Sequence, residues 1–317
     1  MYTLGVDLGG TNIACGIVSA DGKIIRKISK KTGGPERRYE DIIKDMAAGA
    51  REVCDQTGIS LEEIESIGVG SPGTVLSGPG VVVYANNLKM ANVPVKADLE
   101  GILGRTVYVN NDANCAAFGE AMVGLKGYSY AVMLTLGTGV GGGVIIENKI
   151  YEGCNGAGAE LGHMSIVKDG EDCTCGRKGC FEAYCSATAL IRQTRKAMID
   201  NPMSVMWDLC GGDILAVNGR TAFDAMREGD RTGSQVVSRY IDYLADGVAS
   251  LINIFQPQVF IIGGGISNEG ETLLAPMRER CYPMCYGNKY TPVAKIYQAK
   301  LGNDAGIIGA AMLYKNA

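Results

Sequence analysis

A chain of 317 residues favours two domains, and 46% hydrophobic with 20% charged residues describes a globular protein with a sizeable core. A net charge of −4 and a pI near 5.3 speak against a general binder of nucleic acid or of membrane surfaces. No apolar run approaches the roughly eighteen residues that span a bilayer, and eleven cysteines, an odd number, point to a reducing cytoplasm rather than a disulfide framework.

In chain order, MYTLGVDLGG has no basic region ahead of a long apolar stretch, so it does not read as a secretory leader. Leu4, Val6 and Leu8 alternate as in a strand, Gly9-Gly10 turns the chain, and Ile13–Val18 begins a second strand. Asp21-Gly22 predicts a hairpin into a third, Lys23–Ser29. A strand–turn–strand unit carrying Asp7, Gly9, Gly10 and Thr11 can wrap a phosphate with backbone N–H groups, Asp7 facing a metal-bound phosphate. Such a turn is also, and more often, structural.

Tyr39–Thr57 has helical spacing and ends at Gly58. Glu65–Gly70 reads as a buried strand leading into Ser71-Pro72-Gly73. A polar segment follows, in which Asn86, Asn87 and Asn92 serve turns or present amides to a polyol. Thr106–Val109 is a short strand, ending at Asn111-Asp112 before a predicted helix, Ala113–Val123. Asp112 is then either a helix cap worth about 1 kcal/mol or a base projecting into a cleft at the end of a strand.

Ala131–Leu136, the run Gly137-Thr138-Gly139-Val140-Gly141-Gly142-Gly143 and Val144–Ile146 echo the first strand–turn–strand unit. The echo predicts an internal duplication with one phosphate turn in each half. Glu182–Ile199 reads as a helix and Asn201–Gly233 as polar and irregular with a short helical excursion. Val236–Phe255 is a long amphipathic helix. Gln258–Ile262 runs as a strand into Gly263-Gly264-Gly265, where backbone can press against a flat ligand. Gly302-Asn303-Asp304 precedes a terminal helix, Ala305–Tyr314.

The stretch Glu160–Glu182 holds the only histidine, His163, followed by Cys173, Cys175 and Cys180. One imidazole and three thiols match the N and S ligands of tetrahedral Zn²⁺, and glycines at 170, 176 and 179 let the backbone fold tightly around them. Glu160 and Glu182 frame the cluster. An ordinary histidine with free thiols, or a disulfide pair, is the competing reading; the single histidine falling inside the cluster favours the metal.

Together DLGGTN (7–12), NND (110–112), LGTGVGGG (136–143), ELGH (160–163), CTCGRKGCFE (173–182) and IGGG (262–265) resemble the ROK sugar-kinase family, in its order and spacing, over essentially the whole chain. The resemblance implies an α/β protein of the actin-like ATPase (ribonuclease H-like) fold with two domains around a central cleft. Residues 1–115 with 304–317 would form the smaller domain and 116–303 the larger, with a zinc-binding loop at 160–182. It further implies Asp112 as catalytic base, and Asn87, Asn111, Asp112, Glu160, His163 and Glu182 as sugar contacts. His163, Cys173, Cys175 and Cys180 would hold a structural Zn²⁺. Asp7, Gly9, Gly10, Thr11, Gly137, Thr138, Gly139, Gly264 and Gly265 would form the turns that bind ATP with Mg²⁺.

The implied reaction is phosphorylation of a hexose at its 6-hydroxyl by a cytoplasmic homo-oligomer, dimer or tetramer, with no nucleic-acid or membrane partner. Glucose leads, with N-acetylmannosamine and fructose as alternatives within the family. A non-catalytic sugar sensor and a zinc-stabilised interaction module are the rivals from other classes. Asp112 favours the enzyme, because a sensor has no need of a proton acceptor. Met90 stands where the family often has tryptophan, which loosens any inference about the sugar. A first strand at residue 2 leaves no room for the extra DNA-binding region of the family's repressors.

Overall fold

The computed structural model describes residues 1–34 and 36–317. The chain begins with β1 Tyr2–Leu8, β2 Asn12–Ser19, β3 Ile24–Lys31, α1 Tyr39–Thr57 and β4 Ile64–Ser71. A small meander of β5 Thr74–Leu76, β6 Val81–Ala85 and β7 Met90–Val93 precedes α2 Val95–Leu103, β8 Val107–Asn111 and α3 Asp112–Gly119. Next come β9 Ala131–Leu136, β10 Val140–Ile146 and β11 Lys149–Ile150, then α4 Glu182–Cys185, α5 Ala187–Asp200, α6 Met206–Leu209, α7 Thr221–Arg227 and α8 Arg231–Phe255. The chain closes with β12 Val259–Gly263, α9 Glu271–Cys281, β13 Lys295–Gln298 and α10 Ala305–Ala311.

Two five-stranded sheets repeat one plan. The first runs β3-β2-β1-β4-β8 and the second β11-β10-β9-β12-β13, so the duplication expected from the two glycine turns extends to strand order. In the first, β1–β2 and β2–β3 are antiparallel while β1–β4 and β4–β8 are parallel. In the second, β10–β11 is antiparallel and β12–β13 parallel. The residues fall into two compact units: Met1–Ala131 with Gly143–Ala159 and Lys300–Ala317, and Val132–Gly142 with Glu160–Ala299.

In the first unit α1 buries Ile42, Met46, Ala50 and Val53 on one stripe and stops at Gly58, whose φ of 71° closes the helix in the left-handed region. Each fully buried aliphatic side chain contributes about 1.5–3 kcal/mol. Thr3 to Val6 of β1 are all buried, because α10 covers the face of the sheet that alternation would leave wet. That helix seats backbone on backbone: a Cβ at Gly68 would collide with the Ala310 carbonyl, and one at Gly309 with the Cys115 carbonyl. In the second unit α8 is capped by Asp230, whose Oδ1 accepts from Gly233 N–H at 2.6 Å, and buries Val237, Ile241, Leu244, Val248 and Leu251. Its Tyr240 hydroxyl donates to the Cys185 carbonyl at 2.8 Å, fixing α4 directly after the cysteine loop.

Several local expectations give way to tertiary context. The polar segment after Gly73 is the β5–β6–β7 meander, with Met90 buried at its Ala85 pairing. Gly141–Gly143 belong to β10, so the second turn is confined to residues 137–139. The helix expected over 113–123 ends at Gly119 and opens into a π-turn, because the fully buried Glu120 carboxylate accepts from Lys300 N–H at 3.0 Å and Leu301 N–H at 2.6 Å. The helix expected over 182–199 breaks at Ser186, whose Oγ caps α5 by accepting from Ala189 N–H at 3.0 Å. Residues 201–233 hold α6, α7 and the start of α8.

Candidate active site and metal-ligand cluster

Within the first unit the candidate residues collect at the C-terminal ends of parallel strands, where α/β sheets place their ligands. Asp7 is the last residue but one of β1, Gly9 N–H donates to the Asn12 carbonyl at 2.9 Å, and Thr32 Oγ1 donates to the Gly9 carbonyl at 2.7 Å, so the first turn is a held loop. Gly10 faces Asn87: a Cβ there would lie 3.6 Å from the Asn87 Cβ.

The cap of α3 is made by Asn111 rather than Asp112. Asn111 Oδ1 accepts from Asn114 N–H at 3.1 Å, and its Nδ2 donates to the Gly73 carbonyl at 3.0 Å. Asp112 is the first helical residue, with Oδ1 accepting from Ala113 N–H at 2.8 Å. Burial raises its pKa above the usual carboxylate value, against hydrogen bonds that lower it.

Asp7 is also raised, to about 6, by burial first and by the charge of Asp112 second. A folded-state value above the unfolded one means that the native state holds the proton more tightly. Stability attributable to Asp7 therefore falls as pH rises from about 4 to about 6. Asp7→Asn removes that penalty, of order 3 kcal/mol at neutral pH. The variant is expected to melt several degrees higher at pH 7.5 and to lose part of the wild-type slope of Tm between pH 4 and 6.

The second unit brings the metal-ligand candidates together. His163, Cys173, Cys175 and Cys180 offer ligand atoms that all lie within 4.8 Å of one another. Cys173 Sγ is 3.7 Å from His163 Nδ1, and Cys175 Sγ is 3.6 Å from Cys180 Sγ. A tetrahedral Zn²⁺ with bonds of about 2.0–2.3 Å has edges of about 3.3–3.8 Å, so the donor set fits in kind and these two distances fit in length. The competing disulfide is not formed: all eleven cysteines are free. A tight hairpin builds the cluster, Cys173 N–H donating to the Arg177 carbonyl at 2.9 Å and Gly179 N–H to the Glu171 carbonyl at 2.8 Å.

Glu182 and Glu160 differ in how they are tied. Glu182 Oε2 accepts from Val140 N–H at 2.9 Å while Oε1 accepts from Thr174 Oγ1 at 3.3 Å, so one carboxylate joins the 137–139 turn to the cysteine loop. Glu160 begins the short helical turn that ends at His163, its carbonyl accepting from His163 N–H at 3.0 Å.

The candidate glycines divide by what surrounds them. A Cβ at Gly139 would collide with the Glu182 carboxylate, and one at Gly264, whose φ is 82°, would stand 2.5 Å from the Leu136 backbone. Gly137 and Gly265 have nothing within 4 Å of a Cβ and face open space. Gly264 thus has a packing reason to be glycine, whatever its backbone meets on the other side. The turn itself is pinned from α5, Ala187 N–H donating to the Gly137 carbonyl at 2.8 Å and Thr188 Oγ1 to the Thr138 carbonyl at 2.8 Å.

Sequence reasoning missed Glu152 and Asn110. Glu152 Oε1 accepts from Asn110 Nδ2 at 2.6 Å and Oε2 from Ser77 Oγ at 2.5 Å. A lone carboxylate among the glycines after β11 carries no motif, so only the fold could connect it to NND.

Two sheets of one strand order, each with a glycine turn between its first two strands, define a member of the actin-like ATPase fold. Within that class the chain belongs to the ROK family, whose profile matches residues 3–317. It is 40% identical over 314 residues to a glucokinase of Thermotoga maritima, covering 98% of this chain and 96% of the relative. Identity to a glucokinase of Streptomyces coelicolor is 37%, with the same coverage. It superposes on a ROK family glucokinase from Streptomyces griseus, solved with glucose and AMPPNP, with a TM-score of 0.83 and 36% identity over 100% of both chains.

Proposed function

We propose that the protein is an ATP-dependent hexokinase that converts glucose to glucose 6-phosphate. The observation that carries this reading is Asp112: because Asn111 makes the helix cap, the Asp112 carboxylate is spared for chemistry at the end of a strand. In the proposed step Asp112 takes the proton of the sugar's 6-hydroxyl as that oxygen bonds to the γ-phosphorus, and the bond to the bridging oxygen breaks to release ADP. Such transfer asks mainly for positioning and charge compensation. Asp7 would hold the Mg²⁺ that accompanies the nucleotide, and the bound ion would neutralise charge on the phosphates. Gly10, Thr11, Thr138 and Gly265 would offer backbone N–H groups to the nucleotide, while the N–H groups of Gly9 and Gly137 close their own turns by donating to the Asn12 and Gly139 carbonyls.

Asn87, Asn111, Glu160, His163 and Glu182 would hold ring hydroxyls. Each charge-assisted contact is worth about 1.5–3 kcal/mol, so two or three separate one hexose from its epimer. A Zn²⁺ held by His163, Cys173, Cys175 and Cys180 would fix the loop and the imidazole, with no open position for substrate chemistry. Free cysteines throughout support a reducing, cytoplasmic setting. Among the described residues no helix is long and apolar enough to cross a membrane.

A coupled assay of ADP release over glucose, mannose, fructose and the N-acetyl hexosamines tests the reading. Glucose is expected to give the highest kcat/KM. Sugar binding without ADP release would favour a sensor instead. Gly139→Ala sharpens the role of Glu182, since the new methyl displaces the carboxylate that accepts from Val140 N–H and Thr174 Oγ1. We expect Tm lowered by a few degrees and kcat/KM for glucose lowered about tenfold or more.

A further inference from the structure

We infer that Glu152 is a positioning residue for Asp112, acting through Asn110; this deepens the proposed kinase reading and rests on it. Asn110 is 3% exposed, and its side chain sits at a junction. Its Oδ1 accepts from Asn111 N–H at 2.8 Å and from Asn114 Nδ2 at 3.1 Å, which holds the strand end and the first turn of α3 on either side of Asp112. Its Nδ2 is spent on Glu152 Oε1 at 2.6 Å. The Asn110 amide is thus set from both sides: rotated by half a turn it would offer N–H groups to Asn111 N–H and Asn114 Nδ2, donors that cannot accept them, and its oxygen to the acceptor-only Glu152 carboxylate.

Glu152 is held in its turn. Its second oxygen accepts from Ser77 Oγ at 2.5 Å, beyond β5, and its own carbonyl accepts from Gly158 N–H at 2.9 Å in the loop that runs on to Glu160. A Cβ at Gly156 would collide with the Val75 carbonyl, so this loop lies directly on β5. The carboxylate thus ties the strand that carries the base to the meander and to the 152–158 loop. Partners that lock a reacting group's support in this way set the alignment on which transfer rates depend.

Glu152→Ala and Glu152→Gln, each made alone and with Asp112→Asn, test the assignment. Glutamine can accept from Asn110 and donate to Ser77 Oγ, so it should keep the geometry. For Glu152→Ala we expect kcat to fall about ten- to a hundredfold, with KM for ATP within twofold of wild type and a Tm within a few degrees. Glu152→Gln should restore kcat to within about threefold. In the Asp112→Asn background Glu152→Ala should lower kcat no further, since a residue acting through the base has nothing left to position. Independent losses in the double variant, an unchanged kcat in Glu152→Ala, or a fall in Tm that Glu152→Gln shares would each overturn the inference. The underlying kinase reading fails separately, if the wild-type protein phosphorylates no hexose.

Discussion

Asp112→Asn is expected to lower kcat at least about a hundredfold while nucleotide affinity stays near wild type, because general-base contributions run about 10²–10⁴-fold. Asparagine is nearly isosteric, and its carbonyl can still accept from Ala113 N–H, so the start of α3 is kept. The cap is untouched, being made by Asn111. A loss of activity therefore reports on the proton and not on the fold.

The pH profile adds a second readout. A base must be deprotonated to act, so activity falls as pH falls through its pKa, and burial places that point above the range of an ordinary aspartate. The acid limb of kcat/KM should therefore lie above the range of an ordinary aspartate in the wild type. Near-normal turnover in Asp112→Asn would remove the residue from its proposed role.

Cys175→Ser is expected to abolish stoichiometric zinc and to reduce glucose phosphorylation by about two orders of magnitude or more. Structural zinc in small sites contributes an apparent 10–16 kcal/mol, comparable with a whole domain's stability of about 5–15 kcal/mol. Without it the hairpin between Glu171 and Cys180 rests on a few backbone bonds, such as Cys173 N–H to the Arg177 carbonyl, and on the surface ion pair Lys178–Asp172, at 3.2 Å. Loosening the loop releases Thr174 from Glu182 Oε1. The turn at 137–139 keeps its two bonds from α5, so nucleotide binding should survive. Elemental analysis, a fluorescent-nucleotide titration and the coupled assay together check this; a metal-free protein with full activity would show that the cluster is dispensable.

Local chemistry announced much of the frame. The Asp21-Gly22 hairpin, α1 with its Gly58 cap and the apolar stripe of α8 all stand where periodicity and turn residues put them. His163 and the three cysteines were legible because so few residue types bind soft metals and because they lie within one short stretch. The π-turn after Gly119 and the break at Ser186 were not, since each is set by a partner far along the chain or by a cap that competes with helix continuation.

The amino-acid order thus determined the duplicated strand–turn–strand plan, the clustering of one histidine with three cysteines as candidate metal ligands and the residue types able to do acid–base work, because each depends on neighbours within a few positions. Only the tertiary structure gave the capping bond at NND to Asn111 and not to Asp112, and separated Gly137 and Gly265, which face open space, from Gly139 and Gly264, which make room for neighbours. It alone joined Glu152 to Asn110 and Glu182 to Val140. Those contacts span 42 positions each, and no periodicity or spacing rule reaches across a distance that only folding closes.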